Sequence, residues 1–235
     1  MTKFLLLGDI HYRFNNNSSI IESFIETLPM EIDVVLNTGD TISHDQSQWD
    51  GILNAMRRHF PDIPILTVLG NHDYWSDRQM TFLQLQLNRR RLFRKYNINY
   101  LEDSPVIIDG IAIFGFDGWY WSADPPSNDD QYIYRKINDA PFNGYFLSKA
   151  EYQLSYILKK IPRYKKTVIV THFDPNDEQM GASSLWLEKI KEKAQGELVF
   201  CCGHTHRQKD EIHGNLRILN AGGDYNIPAY SMFIM

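Results

Sequence analysis

Disulfide chemistry is almost absent from this chain. Its 235 residues include two cysteines, Cys201 and Cys202, and they are neighbours. Adjacent residues of one strand cannot meet the geometry of an ordinary disulfide, which excludes a disulfide framework. Long apolar runs are missing too. No stretch approaches the roughly 20 apolar residues that span a bilayer. The opening MTKFLLLGDI lacks the length and cleavage site of a signal peptide. Positive charge is in deficit: 24 Lys and Arg stand against 29 Asp and Glu, a net charge of −5. Such a chain does not grip nucleic acid or an anionic membrane by bulk charge. An anionic ligand must then be drawn by a local cation, which a bound metal can supply. These absences lead to the expectation of a soluble cytoplasmic protein with no membrane partner. Hydrophobic residues make up 43%, enough for a large core, and the length suits one α/β domain over 1–235.

What is present is a recurring strand ending. FLLLGDIH (4–11), VVLNTGDT (34–41), ILTVLGNH (65–72), VIVTHF (168–173) and LVFCCGHTH (198–206) are apolar runs that close on Asp, Asn or His, mostly after Gly. Runs of this kind suit strands buried on both faces, with polar residues at the tips where α/β sheets bind ligands. Segments with helical character lie between them: 18–28, 47–60, 76–96 with Ser76 as N-cap, 148–161 opened by a Ser148–Glu151 capping box, and 183–194. The early β-α-β-α-β order predicts parallel pairing with right-handed crossovers. Further on, VIIDGIAIFGF (106–116) reads as a hairpin around Asp109-Gly110, and the last twenty residues offer two more strands about a polar turn. Mixed sheets follow, two of them packed face to face with helices outside. Residues 117–146 show no clean period and read as a substrate-proximal loop or cap.

Collected at the tips are Asp9, His11, Asp40, Asn71, His72, His172, His204 and His206. Asp9/His11 and His204/His206 are i, i+2 pairs, which point the same way in extended chain. Carboxylate, imidazole and amide donors suit Mn, Fe, Zn or Co better than Ca or Mg. The set is too large for one ion and suits two, about 3.5–4 Å apart. Cys201 and Cys202, by contrast, lack a second pair at zinc-ribbon spacing and read as core residues on opposite faces of a strand.

Asp9-x-His11, Gly39-Asp40, Gly70-Asn71-His72-Asp73, His172 and Gly203-His204-x-His206 stand in the order found in the calcineurin-like metallophosphoesterase family, which the chain resembles from residue 9 to 206. The resemblance implies a four-layer α/β/β/α sandwich and a dinuclear centre. One metal would take Asp9, His11, Asp40 and His206. The other would take Asp40, Asn71, His172 and His204, with Asp40 bridging. Mn²⁺ is the first expectation, with Fe, Zn or Co as alternatives. The implied reaction is phosphoester hydrolysis by a metal-bridging hydroxide, with His72 protonating the leaving oxygen. The family's second acid after Gly-Asp is replaced here by Gly39-Asp40-Thr41-Ile42-Ser43, which leaves Asp73 or Asp45 to support His72. The Asp-Arg-Gly extension of the protein-phosphatase branch is missing.

Three readings compete. The first is a phosphohydrolase acting on a small phosphorylated substrate, monoester or diester. The second is a nuclease or cyclic-nucleotide phosphodiesterase, hinted at by Arg89, Arg90, Arg91, Arg94 and Lys95 and by Trp119, Tyr120 and Trp121. The basic run more often makes a solvated helix end, so nucleic acid is the disfavoured partner. The third is a non-catalytic scaffold, which an intact ligand set argues against. His44, His59 and His213 belong to no motif and read as surface residues.

Overall fold

The computed structural model describes residues 1–13, 16–43, 47–74, 82–117, 142–175 and 183–235, with backbone alone at 82–83, 142–147, 150 and 183–186. In chain order the elements are β1 (Lys3–Leu7), α1 (Ser18–Thr27), β2 (Val34–Asn37), α2 (Gln48–His59), β3 (Ile65–Thr67), the single turn α3 (Asn71–Tyr74), α4 (Phe82–Lys95) and β4 (Ile98–Tyr100). Then come β5 (Val106–Ile108), β6 (Ile111–Gly115), α5 (Phe142–Lys160), β7 (Lys166–Val170), α6 (Ser183–Lys193), β8 (Glu197–Cys202), β9 (Lys209–His213), β10 (Leu216–Asn220) and β11 (Tyr230–Ile234).

Two mixed sheets result. The first has the order β11-β1-β2-β3-β4 and the second β5-β6-β7-β8-β10-β9. β1 to β4 pair in parallel, as the βαβ pattern predicts, and β6, β7, β8 and β10 do the same in the second sheet. The Asp109-Gly110 hairpin forms as expected, with both residues in the left-handed region, φ 49° and 78°.

Period-two alternation explains why these strands are apolar throughout. Leu5 and Leu7 face α1 and α2, packing with Ile21, Ile25, Ile52 and Met56. Phe4 and Leu6 face the second sheet and meet Ile113, Val168, Val199 and Cys201. The far face of the second sheet buries Phe114, Ile169, Phe200 and Cys202 against Leu154 and Ile157 of α5 and Ile190 of α6. Four layers with three interlayer cores follow, and the adjacent cysteines do point to opposite faces. Each fully buried aliphatic or Phe side chain contributes about 1.5–3 kcal/mol relative to exposure.

Several expectations change. The two strands read at the end of the chain do form, but in different sheets: β10 joins the second sheet, while β11 crosses to pair antiparallel with β1. Phe4 and Phe233 stack at 4.7 Å across that pairing, and the apolar match decides the partner. α5 begins at Phe142, so Ser148 is not a cap but an exposed residue within the helix. β9 (KDEIH) is a charged, exposed edge strand without an apolar face, recognisable only by its pairing with β10. Ser76 and most of the 117–146 segment, including Trp119, Tyr120 and Trp121, lie outside the described residues, as do His44 and Asp45. Among the described residues no helix is long and apolar enough to cross a membrane.

Candidate metal centre

The strands stop short of the candidate ligands. β1 ends at Leu7, β2 at Asn37 and β8 at Cys202. Beyond these points Asp9, His11, Asp40, His204 and His206 all adopt left-handed backbone, with φ of 52°, 45°, 49°, 67° and 54°. The two i, i+2 pairs are therefore not extended, contrary to the expectation drawn from strand geometry. Their side chains are brought together by tight left-handed loops. Asp and His tolerate this region better than most residues, yet each such position costs on the order of 1–3 kcal/mol, which the surrounding loops must impose. Gly70 supplies the remaining room: a Cβ there would lie 2.1 Å from Asp40 Oδ1.

Among the described residues three groups of potential ligand atoms converge, each within 4.8 Å: Asp9/His11/His206, His11/Asp40/His72 and Asp9/Asp40/His172. The first joins three of the residues expected at one metal, and the third links Asp40 to a ligand expected at the other. Asn71 enters through its Oδ1, 2.9 Å from His172 Nε2. His204 stands beside His172, ring centroids 5.2 Å apart, but outside these three groups. His72, expected not to be a ligand, lies inside one of them.

The donor chemistry calls for a cation. His172 Nδ1 donates to the Thr38 carbonyl oxygen at 2.9 Å, so in the neutral ring Nε2 carries a lone pair. That lone pair faces Asn71 Oδ1 at 2.9 Å and Asp40 Oδ2 at 3.4 Å. Three acceptors aimed at one point are unstable without a positive charge between them. In the protein alone a proton fills the role: burial would lower the His172 pKa, but the Asp40 carboxylate overrides it and raises it to about 9. Asp40 shows the complement, with burial pushing it up and the His172, His72 and His11 imidazoles holding it well below the usual carboxylate range. Burial lowers His11 and His204 to about 3, so both stay neutral at pH 7 and keep a lone pair for a metal. Among the described residues neither ring nitrogen of His11, both fully buried, finds a hydrogen-bond partner, which suits an imidazole available to a cation.

The surroundings fix the other rings. His206 Nδ1 bonds Asp224 Oδ1 at 3.0 Å, directing Nε2 toward Asp9 Oδ1 at 3.8 Å. His72 Nδ1 donates to the Ser43 carbonyl oxygen at 3.0 Å. A backbone carbonyl thus occupies the position where Asp73 or Asp45 was expected. Asp73 is engaged elsewhere: Oδ1 accepts the N–H of Thr41 and Ile42 at 3.0 and 3.2 Å, and Oδ2 that of Gly70 at 2.9 Å. It ties the loop after β2 to the loop after β3. Arg89 departs from the solvated-helix reading. It is buried, stacks over the Trp49 ring at 4.9 Å and donates to the Asp73 carbonyl oxygen. Sequence reasoning also passed over Asp117, whose Oδ1 accepts the Leu69 N–H at 3.0 Å and whose carbonyl oxygen accepts the His172 N–H at 3.1 Å. It staples the two sheets' contributions together, and no spacing signal marks it. Asp224 and Tyr225 lie in the polar turn that the sequence places between the last two strands.

Comparison with known proteins decides the family. The sequence profile of calcineurin-like phosphoesterases matches residues 2–208. The chain belongs to that family. This calcineurin-like phosphoesterase carries residue clusters that could hold divalent metal. A UPF0046 protein of Caenorhabditis elegans is 25% identical over 233 residues, covering 93% of this chain and 69% of its own length. The phosphopantetheinyl hydrolase PptH of Mycobacterium tuberculosis shares the fold with a TM-score of 0.67 at 14% identity, covering 95% of this chain and 90% of that one. A putative 5'-nucleotidase of Staphylococcus aureus matches with a TM-score of 0.55 at 14% identity over 94% of this chain and 48% of its own. The 5'-nucleotidase of Candida albicans matches at 0.53 and 12% identity over 98% and 51%. This chain thus spans about half the length of either nucleotidase.

Proposed function

We propose that this phosphoesterase hydrolyses small phosphomonoesters or phosphodiesters with two divalent metals. Asp9, His11, Asp40 and His206 would hold one, and Asp40, Asn71, His172 and His204 the other. The observation that carries the reading is the convergence of His172 Nε2, Asn71 Oδ1 and Asp40 Oδ2 beside a His11 imidazole whose two nitrogens have no hydrogen-bond partner among the described residues. Imidazole, amide and carboxylate together favour Mn²⁺, Fe, Zn or Co, with Mn²⁺ the first choice. When bound, such metals supply an activated water and a positive field at the phosphoryl oxygens.

The chain's own residues do the rest. Asp40 Oδ2, close to both His172 and His11, is placed to be shared. His72 keeps Nε2 as its reactive nitrogen because Nδ1 is committed to Ser43. Its N–H also donates to Asp40 Oδ1 at 2.8 Å, so the proton donor is registered against the metal-binding carboxylate. Protonation of the leaving oxygen by His72 then requires the imidazolium, whose Nδ1–H stays on Ser43 while Nε2–H is free to transfer; burial lowers the pKa of this ring, so the donor form is the minor one in the protein alone. Asp73 holds the loops in register rather than meeting substrate.

A small substrate is favoured over a polyanion. The net charge is negative, and the basic run on α4 is largely committed: Arg89 is buried, Arg90 pairs with Asp103 at 2.6 Å and Lys95 with Asp50 at 2.6 Å. The test is hydrolysis of p-nitrophenyl phosphate and its bis-ester with Mn²⁺, before and after EDTA. Turnover that EDTA abolishes and Mn²⁺ restores supports the reading; no turnover with any divalent metal contradicts it.

A further inference from the structure

The turn after β10 reaches back into the metal centre from beyond the residues that match the family. Asp224 and Ile227 pair with each other, N–H to carbonyl at 3.0 and 2.9 Å, which puts Tyr225 and Asn226 at the tip of a two-residue hairpin. Gly222 and Gly223 let it approach. Gly222 has φ 76°, a Cβ on it would lie 2.4 Å from Gln208 N, and one on Gly223 would lie 2.5 Å from the Gly8 carbonyl oxygen. The tip is anchored on both sides. Asn17 Nδ2 donates to the Tyr225 carbonyl oxygen at 2.6 Å and to that of His11 at 3.3 Å. The Tyr225 N–H donates to Asp224 Oδ1 at 2.7 Å, the same oxygen that holds His206.

This anchoring lays the Tyr225 ring on His11, centroids 4.2 Å apart at 29°, and 5.1 Å from His206. Its hydroxyl then lies 3.4 Å from His72 Nε2. An oxygen that takes a proton from Nε2 sits about 3 Å from that nitrogen, and so within reach of the same hydroxyl. Resting on the phosphoesterase reading above, we propose that Tyr225 is a catalytic residue of the leaving-group side, donating a hydrogen bond to the departing oxygen that His72 protonates. As water oxygen bonds to phosphorus, the bond from phosphorus to the leaving oxygen breaks. Its electron pair stays on that oxygen, which takes the Nε2 proton of the His72 imidazolium and leaves the neutral ring with its Nδ1–H on Ser43, while Tyr225 keeps its own proton throughout. Two donors on one departing oxygen matter most when charge cannot be dispersed, so the substrates served are esters of alkyl alcohols rather than of activated phenols.

The experiment compares Y225F with wild type on glycerol phosphate and p-nitrophenyl phosphate, with bound metal measured alongside. The expected result is an intact metal content and a loss of kcat/KM at least about tenfold greater on the alkyl ester. Y225A, which also uncovers His11, shows the same discrimination. In Zn²⁺-loaded protein with ¹⁵N-labelled histidine, Y225F moves the His72 Nε2 resonance, whereas Y152F, an exposed tyrosine on α5, does not. Equal losses on both esters, loss of metal in Y225F, or an unmoved His72 resonance overturns the role of Tyr225 while leaving an active wild type. A wild type inactive on every ester with every metal overturns the phosphoesterase reading itself, and this inference with it.

Discussion

Asp40 and His72 are joined directly: the His72 N–H donates to Asp40 Oδ1 at 2.8 Å. One carboxylate oxygen is therefore spent on holding the short helix α3, and Oδ2 is the atom that faces His172 at 3.4 Å and His11 at 3.8 Å. A single oxygen between two imidazoles on different loops is the geometric basis for a shared ligand. Under the proposed function, Asp40 would link metal binding to proton donation.

Asp40→Asn tests that link. An amide can still accept the His72 N–H, but its other terminus presents N–H groups toward His11 and His172 where a lone pair is required. The expected result is loss of both metals together, with affinity reduced at least about a hundredfold, measured by elemental analysis after dialysis against buffered metal. Full metal content in the variant would deny Asp40 a bridging position.

His72→Ala separates chemistry from metal binding. Both metals should remain, while kcat falls by about 10²–10⁴ on an alkyl phosphate and by much less on p-nitrophenyl phosphate, whose leaving group needs little protonation. The measurement is kcat on the two esters. Equal losses would remove His72 as general acid.

The His172 proton predicts a pH dependence of the metal-free protein. A folded pKa of about 9 against an ordinary 6.5 means stability that is complete below pH 6.5 and lost as pH rises through 9. Burial raises Asp9 to about 6, so it has largely titrated by pH 7, whereas Asp73, raised by burial to about 7, is half-titrated there and completes its change by about pH 8; His172 carries most of the change from pH 7 to 9. Between pH 7 and 9 the EDTA-treated protein should lose about 2 kcal/mol of stability. Metal requires the neutral ring, so the loaded protein should not show this decline, and metal binding at pH 7 should release a proton. Thermal melts with and without Mn²⁺ across this range provide the check.

Asp73→Asn should act on the fold. Its carboxylate accepts three backbone N–H groups, and an amide nitrogen at one terminus would confront a donor. A cost of about 1–3 kcal/mol in urea unfolding is expected. The shape of the pH–rate profile should stay that of wild type, because His72 is held by Ser43 rather than by Asp73.

Much of this was legible beforehand because strand tips concentrate the signal. The apolar runs ending in Asp9, Asp40, Asn71, His172 and His204 announce both buried parallel strands and the residues that converge beyond them. Left-handed backbone at Asp9, His11 and Asp40 was not legible, since no local rule forces such a conformation on Asp or His. The backbone support of His72 was hidden for a related reason: any residue at position 43 supplies a carbonyl. Arg89 was misread because its buried partners, Trp49 and Asp73, are distant in sequence. Asp224 and Tyr225 lay past the last motif, and β9 carries charges where strands usually carry apolar residues. In each case a long-range contact decided what composition could not.

Anomalous scattering from crystals grown with Mn²⁺ shows whether two cations share Asp40. Two peaks about 3.5–4 Å apart are expected, one beside Asp9, His11 and His206 and one beside Asn71, His172 and His204, with Asp40 Oδ2 touching both. A fully loaded crystal with no peak at Asp40, or with the ions held elsewhere on the surface, would contradict that sharing.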